Sequence, residues 1–244
     1  MDRLIYTALS GAKAAFQKQE IAANNLANAA TPGFRAELQA FRPVAIDGAP
    51  ARTFALMEAS GPDFSAGPIQ RTGRELDVAI EGPGWLAVEG SDGSEGYTRA
   101  GALALDDEGN LRTASGRAVL GDGGPISIPA NAKISIAQDG TVSAIVPGPK
   151  AISTPVAKIK LVNPDTATLE RGTDGLFRVK GGGSAEIDEK VRLASGSLEG
   201  SNVNPVEAMV SMIAIARQFE VQMKLLTSEE QNARDAAKLL NISA

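Results

Sequence analysis

An α+β fold is predicted, with long amino- and carboxy-terminal helices pairing as a coiled coil and an antiparallel β body, a sandwich or an open barrel, between them. Three observations predict it. Apolar residues recur at alternating steps of four and three at both ends of the chain. Short β-rich runs separated by Asp-Gly and Gly-Asn turns fill the middle. A Thr31-Pro32-Gly33 break and an Asn204-Pro205 start mark where helix gives way to body and body to helix.

The amino-terminal helix is carried by Ile5, Leu9, Ala12, Phe16, Gln19, Ala23 and Leu26, a heptad seam with Gln19 its one polar member. Asp2 sits where the helix dipole favours an acid. A helix from about Asp2 to Ala29 would be roughly 40 Å long at ~1.5 Å per residue. Its length and narrow seam favour a coiled-coil partner over a helix simply lying on a domain. Asn24, Asn25 and Asn28 gather at its last turn, with Asn24 and Asn28 on one face. They suit termination of the helix, satisfaction of turn backbone, and hydrogen bonding to a neighbouring chain. Pro32 then biases Thr31 away from helical geometry. Pro32-Gly33 suits the centre of a type II turn, Gly33 tolerating positive φ.

From Ala36 to Arg71 the pattern dissolves among Pro43, Gly48, Pro50, Gly61, Pro62, Gly67 and Pro68. This reads as an extended connection with one or two edge strands. It is too long for a plain loop and therefore points to an interface role.

Residues 72–195 read as β. Leu76, Val78 and Ile80 alternate with Asp77 and Ala79, and further runs lie at Trp85–Val88, Ala118–Leu120, Ile126–Ile128, Ile134–Ile136, Val142–Val146, Val156–Val162 and Leu176–Val179. Turns are expected at Asp92-Gly93, Glu108-Gly109-Asn110, Asp139-Gly140 and Asp174-Gly175.

The last element has a start signal. Asn204 can cap, Pro205 suits the first helical position, and Glu207 stands three residues after the cap. Its seam is Met212, Ala216, Phe219, Met223, Leu226, Glu230, Ala233, Ala237 and Leu240, and the helix is expected from Pro205 to Asn241, roughly 55 Å at ~1.5 Å per residue. Both seams are rich in alanine. Since a buried large side chain contributes only ~1.5–3 kcal/mol, a hairpin of these two helices would be marginal alone. Packing against copies or related helices makes better sense of them.

Composition narrows the function. The 244 residues are 43% hydrophobic and 22% charged, a globular balance, with a formal net charge of −5 that disfavours nucleic acid as a partner. With neither cysteine nor histidine there is no disulfide, no thiolate chemistry, no commonest general base and no commonest zinc ligand. No stretch has the ~18–20 apolar residues of a membrane span, and no secretory signal is visible. Composition alone suits the cytoplasm.

Local motifs for chemistry are weak. Ser10-Gly-Ala-Lys13 matches the S-x-x-K of serine acylases but lacks their other elements. Asp106-Asp107-Glu108-Gly109-Asn110 is too short for a calcium loop and reads as a hairpin turn. No phosphate-binding, dinucleotide or nucleophile-elbow pattern is present. No catalytic, cofactor or metal residues are therefore expected. The alternative reading, a Ser/Lys or carboxylate-dependent hydrolase acting on cell-wall material, has no convergent acid/base set behind it.

The residues do carry a family resemblance. ANNLANAATPGFR, ending at Arg35, resembles the amino-terminal signature of the flagellar axial proteins, the rod and hook group of the basal body. GSLEGSNVNPVEAMVSMIAIARQFEVQ, Gly196 to Gln222, resembles their carboxy-terminal signature. DVAIEGPGWLAV from Asp77 and YTRAGALALDDEGNLRTASGRAVL from Tyr97 are similar to the shared body, with Trp85 where that group usually has Phe. The opening MDRLIYTALSGA and the short length look most like the proximal-rod members.

The resemblance implies a non-enzymatic rod subunit. Its terminal helices would form the inner tube around a central export channel, with the β body outside. Its partners would be copies of itself, proximal and distal rod subunits, and the flagellar type III export apparatus. It would be exported without a cleavable signal and polymerise in the periplasm. The expected division is an axial helix and turn at 1–34, the connection at 35–71, the β body at 72–195, and an axial helix at 196–244 packing with 1–34. The expected subunit interface comprises Ile5, Leu9, Phe16, Asn24, Asn25, Leu26, Asn28, Pro32, Gly33, Phe34, Asn202, Asn204, Met212, Phe219, Met223 and Leu226.

Overall fold

A computed structural model of the chain describes residues 2–46, 49–129, 132–146 and 152–242. It is α+β: helix α1 (Asp2–Ala27) and helix α2 (Pro205–Ile242) flank an antiparallel β body. Two compact units result. The first gathers Met1–Ala29, Glu37–Asp63 and Val203–Ala244; the second is Ala30–Ala36 with Phe64–Asn202.

In the first unit α1 and α2 pack on each other. α1 ends two residues short of the expected Ala29, and α2 runs one residue past the expected Asn241. The start of α2 follows from its capping residue: Asn204 Oδ1 accepts from the backbone N–H of Val206 at 3.0 Å and of Glu207 at 3.4 Å. The same unit holds a long antiparallel hairpin inside what reads as a connection. β1 (Glu37–Ile46) pairs with β2 (Ala49–Pro62) from Glu37 opposite Pro62 to Ile46 opposite Ala49. Its register slips at Ala40/Phe41 and Ala45/Ile46; Pro43 pairs opposite Ala55 between the slips, as an edge strand of a two-stranded sheet allows.

The buried face of α1 is turned about one residue from the expected seam. Ala12, Ala14 and Ala15 are buried, whereas Leu9 and Phe16 are 54% and 55% exposed. On α2 the half-buried stripe is Ala208, Met212, Ile215, Ala216, Phe219, Gln222, Leu226 and Glu229, sharing Met212, Ala216, Phe219 and Leu226 with the expected seam. The reason is steric. Small side chains let two helix axes approach closely, and at Gly11 an added Cβ would stand 3.1 Å from the Gln222 amide. The larger Leu9 and Phe16 are left outside.

The second unit is built from short antiparallel strands. Its largest sheet runs Leu161–Val162, Trp85–Glu89, Glu95–Thr98, Phe177–Val179, Leu169–Arg171; a three-stranded sheet runs Lys133–Ile136, Thr141–Val146, Ile152–Lys158. Two-stranded ladders complete it, among them Val78–Glu81 with Arg192–Ser195 and Ile69–Arg71 with Ser197–Glu199. No sheet closes into a barrel among the described residues.

Two apolar clusters fill this unit, and strand Trp85–Glu89 divides them. Leu86 and Val88 join the larger cluster around Leu103, Leu111, Val142 and Ile159. Trp85 and Ala87 point the other way, to Tyr97, Val162, Leu169 and Phe177. A strand covered on both faces reads as a continuous apolar run because successive side chains alternate sides. The expected turn glycines Gly93, Gly109, Gly140 and Gly175 all have positive φ, between 75° and 85°. Asp77, which the alternation would place at the surface, is buried. Thr72 Oγ1 donates to it at 2.7 Å and Arg74 Nε at 2.8 Å.

Candidate assembly site

The type II turn at Thr31–Phe34 forms as its residues dictate. Phe34 N donates to Thr31 O at 3.2 Å, and Gly33 has φ 71°. Gly33 is required there twice over, since a Cβ would also fall 2.2 Å from the Arg99 carbonyl carbon. Its N–H donates to Glu199 O at 2.8 Å.

The turn delivers Arg35 into the interior of the second unit. Arg35 and Glu199 are each 1% exposed and form an ion pair at 2.8 Å. Arg99 Nη1 donates to the second Glu199 oxygen at 2.9 Å, and its Nη2 to Gly82 O at 2.6 Å. Glu199 Oε1 also accepts from Gly67 N at 3.0 Å, while Arg35 donates to Ser65 O. Two guanidinium groups thus share one carboxylate. The excess positive charge lies against the Trp85 ring, whose centroid is 6.0 Å from Arg35 Cζ and 5.5 Å from Arg99 Cζ. Burial lowers the Arg99 pKa, and the Glu199 charge opposes that fall.

Around this triad the aromatic rings close. Trp85 and Phe177 are 4.7 Å apart, with Phe64 against both. Arg171 covers the Phe34 ring at 4.6 Å and donates to Arg35 O at 3.1 Å. Asn202 completes the network. Its Oδ1 accepts from Ala36 N at 2.7 Å, and its Nδ2 donates to Ser65 O at 3.1 Å. Of the expected interface residues, Gly33, Phe34 and Asn202 are brought together here, with Pro32 half-buried in the same turn.

The others lie in the first unit. Asn25 binds the backbone of Glu37 in both directions, donating to its O at 2.9 Å and accepting from its N at 2.8 Å. Asn28 Nδ2 donates to Asn24 O at 2.9 Å, and Asn24 is exposed. Leu26, Met212, Phe219 and Leu226 are half-buried, and Met223 is exposed like Leu9 and Phe16. The Ile5 side chain lies outside the described residues.

α2 carries more. Val206, Met209, Val210 and Ile213 are exposed on the side opposite its half-buried stripe, so its first turns have two apolar faces. A solvent-facing run of this kind exceeds the scattered apolar residues normal on a monomer.

The Asp106 cluster is a turn. Asp106 Oδ1 accepts from Asn110 N at 2.7 Å and Glu108 N at 3.1 Å. Hydrogen bonding from Arg112 Nε brings the Asp106 pKa down to about 2.

Sequence reasoning missed Arg35, Arg99 and Glu199 as a set. The one available signal was the company they keep: Gly33, Gly101 and Gly200 stand within two residues of them, and glycine marks places where backbones approach.

Three segments of the chain match known protein families. Residues 5–35 match the family described as flagella basal body rod protein, 79–144 the flagellar hook protein FlgE/F/G D1 domain, and 194–239 the flagellar basal body rod FlgEFG protein C-terminal. Each matched segment contributes one member of the triad: Arg35, Arg99 and Glu199. The chain is 47% identical over 252 residues to flagellar basal-body rod protein FlgF of Salmonella typhimurium, covering 100% of both. It is 46% identical to FlgF of Escherichia coli, again over 100% of both. It is also 30% identical to flagellar basal-body rod protein FlgG of Bacillus subtilis, over 98% of this chain and 99% of that one.

Proposed function

We infer the role of this chain from one premise: it belongs to the flagellar basal-body rod protein family. It is a structural subunit of the rod of the flagellar basal body, not an enzyme, and associates with other rod and basal-body proteins. The hydrolase alternative has no support among these relatives.

We propose further that it lies in the proximal rod and polymerises through its terminal helices into a hollow, torque-transmitting drive shaft around an export channel. In this reading α1 and α2 form a coiled-coil tube element, with the β body outside the tube. Neighbouring rod subunits, copies of this chain among them, cover the helices; of the expected interface residues from Ile5 to Leu226, those at the surface, Leu9, Phe16, Asn24 and Met223 among them, are the proposed contacts. Export by the flagellar type III apparatus without a cleaved signal, and polymerisation in the periplasm, complete it.

The observation that carries the proposal is the second apolar face of α2, Val206, Met209, Val210 and Ile213, together with the exposed Leu9 and Phe16 of α1. Head-to-tail contacts between unlike faces build open helical polymers rather than closed dimers. The test is complementation of a strain lacking the gene. Ile213→Glu and Phe16→Glu are expected to abolish swimming while the purified chain keeps its folded stability; normal swimming would refute the role given to these faces.

A further inference from the structure

The segments by which the chain enters and leaves the second unit are fastened to one another through its carboxy-terminal end. Gly33 N donates to Glu199 O at 2.8 Å, Ala36 N to Asn202 Oδ1 at 2.7 Å, Gly67 N to Glu199 Oε1 at 3.0 Å, and Gly200 N to Pro68 O at 2.8 Å. Ser65 O accepts from both Arg35 and Asn202. The strand Ser197–Glu199 also supplies the partner of Ile69–Arg71. Apart from the bond between Arg35 and Ser65 O, none of these contacts exists until residues 197–202 are in place.

Charge makes the dependence sharper. Among the described residues, Glu199 is the one carboxylate ion-paired with Arg35 or Arg99, whose side chains are 1% and 6% exposed. A guanidinium buried without its counter-charge is strongly unfavourable. Before Glu199 arrives, Arg35 and Arg99 favour water, and their buried contacts to Ser65 O and Gly82 O stay unmade. The larger apolar cluster, around Leu103, Leu111 and Val142, makes no such demand.

We propose that Glu199 is a closing latch: the entry and exit segments of the β unit lock together in one step, and only when residues 197–202 have been delivered. A chain supplied amino terminus first therefore keeps these ends open until its carboxy-terminal signature appears. The latch acts within one chain and stands apart from the assembly reading.

Pulse-labelled hydrogen exchange during refolding of the full-length chain tests it. The amides of Gly33, Ala36, Gly67 and Gly200 are expected to become protected together, after Leu111, whose N–H donates to Ile126 O at 2.8 Å in the core. Protection of Gly33 and Ala36 ahead of Gly67 and Gly200 would overturn the latch. In the folded Glu199→Gln chain the same four amides are expected to exchange about a hundredfold faster with Leu111 unchanged. Wild-type rates at all four would overturn it equally. The refolding measurement uses the wild-type chain alone and needs no variant to fold.

Discussion

Arg35 and Glu199 come from the two ends of the chain and meet in an ion pair of 2.8 Å from which solvent is excluded. The contact joins the segment after the first helix to the segment before the second. Buried ion pairs often stabilise no more than an apolar substitute would, whereas removing one partner is costly. The pair is therefore best regarded as a device that makes one arrangement of the two ends far better than any other.

Glu199→Ala strands two buried guanidinium groups. It is expected to lower unfolding stability by about 3–5 kcal/mol. Trp85 is the single tryptophan and lies against both arginines, so its fluorescence in a urea titration reads the change directly. A variant within about 0.5 kcal/mol of wild type, the range of ordinary surface changes, would contradict the account.

Two kinds of glycine are separable by mutation. At Gly101 an added Cβ would stand 1.7 Å from Val78 O, and at Gly67 it would stand 2.1 Å from Gly200 O. Either alanine must push backbone aside, and a loss of about 3 kcal/mol or more is expected. Gly116 has φ 81° with open space around it, so Gly116→Ala should cost only about 1–2 kcal/mol through the left-handed conformation. Thermal unfolding of the three variants gives the ranking, and an equal cost for all three would contradict it.

How much of this was legible in the sequence differs by element. The helices were, because heptad spacing and the Asn204-Pro205 start are local signals. The turns at Gly93, Gly109, Gly140 and Gly175 were legible for the same reason. The strands Glu95–Thr98, Leu103–Leu105 and Ser197–Glu199 were not: each is only three or four residues long, too short for a period to show, and the partner of Ser197–Glu199 is also remote in sequence. Which face α1 buries was also hidden. Leu9 and Phe16 dominate its hydrophobicity, but close approach at Gly11 and Ala15 decides its packing. Arg35, Arg99 and Glu199 look like surface charges one at a time; their burial is a property of the set.

Acid should weaken the β unit through two aspartates. Hydrogen bonds from Arg178 and Arg112 bring Asp174 and Asp106 down to about 2 from an ordinary 3.8. The unfolded chain then holds more protons across that interval, so stability falls as pH drops through it. The contribution is fully present above about pH 5 and lost progressively toward pH 2. Asp174→Asn should flatten the acid limb of a stability-against-pH curve; an unchanged limb would remove this cause.

The cap of α2 offers a milder probe. Asn204→Ala removes the acceptor for Val206 N and Glu207 N and should cost about 1 kcal/mol of helix stability. Asn204→Ser should restore most of it, read as mean helix ellipticity against temperature. Equal melting of Asn204→Ala and wild type would show the cap to be idle.

The central claim is that the outward faces of α1 and α2 are covered by neighbouring rod subunits. The chain has no cysteine, so single replacements report cleanly. Phe16→Cys and Ile213→Cys in isolated basal bodies are expected to cross-link to another chain with a short bifunctional reagent, while Ala15→Cys, at a buried position on the inward face, is not. Cross-links from Ala15→Cys with none from Phe16→Cys or Ile213→Cys would contradict the claim.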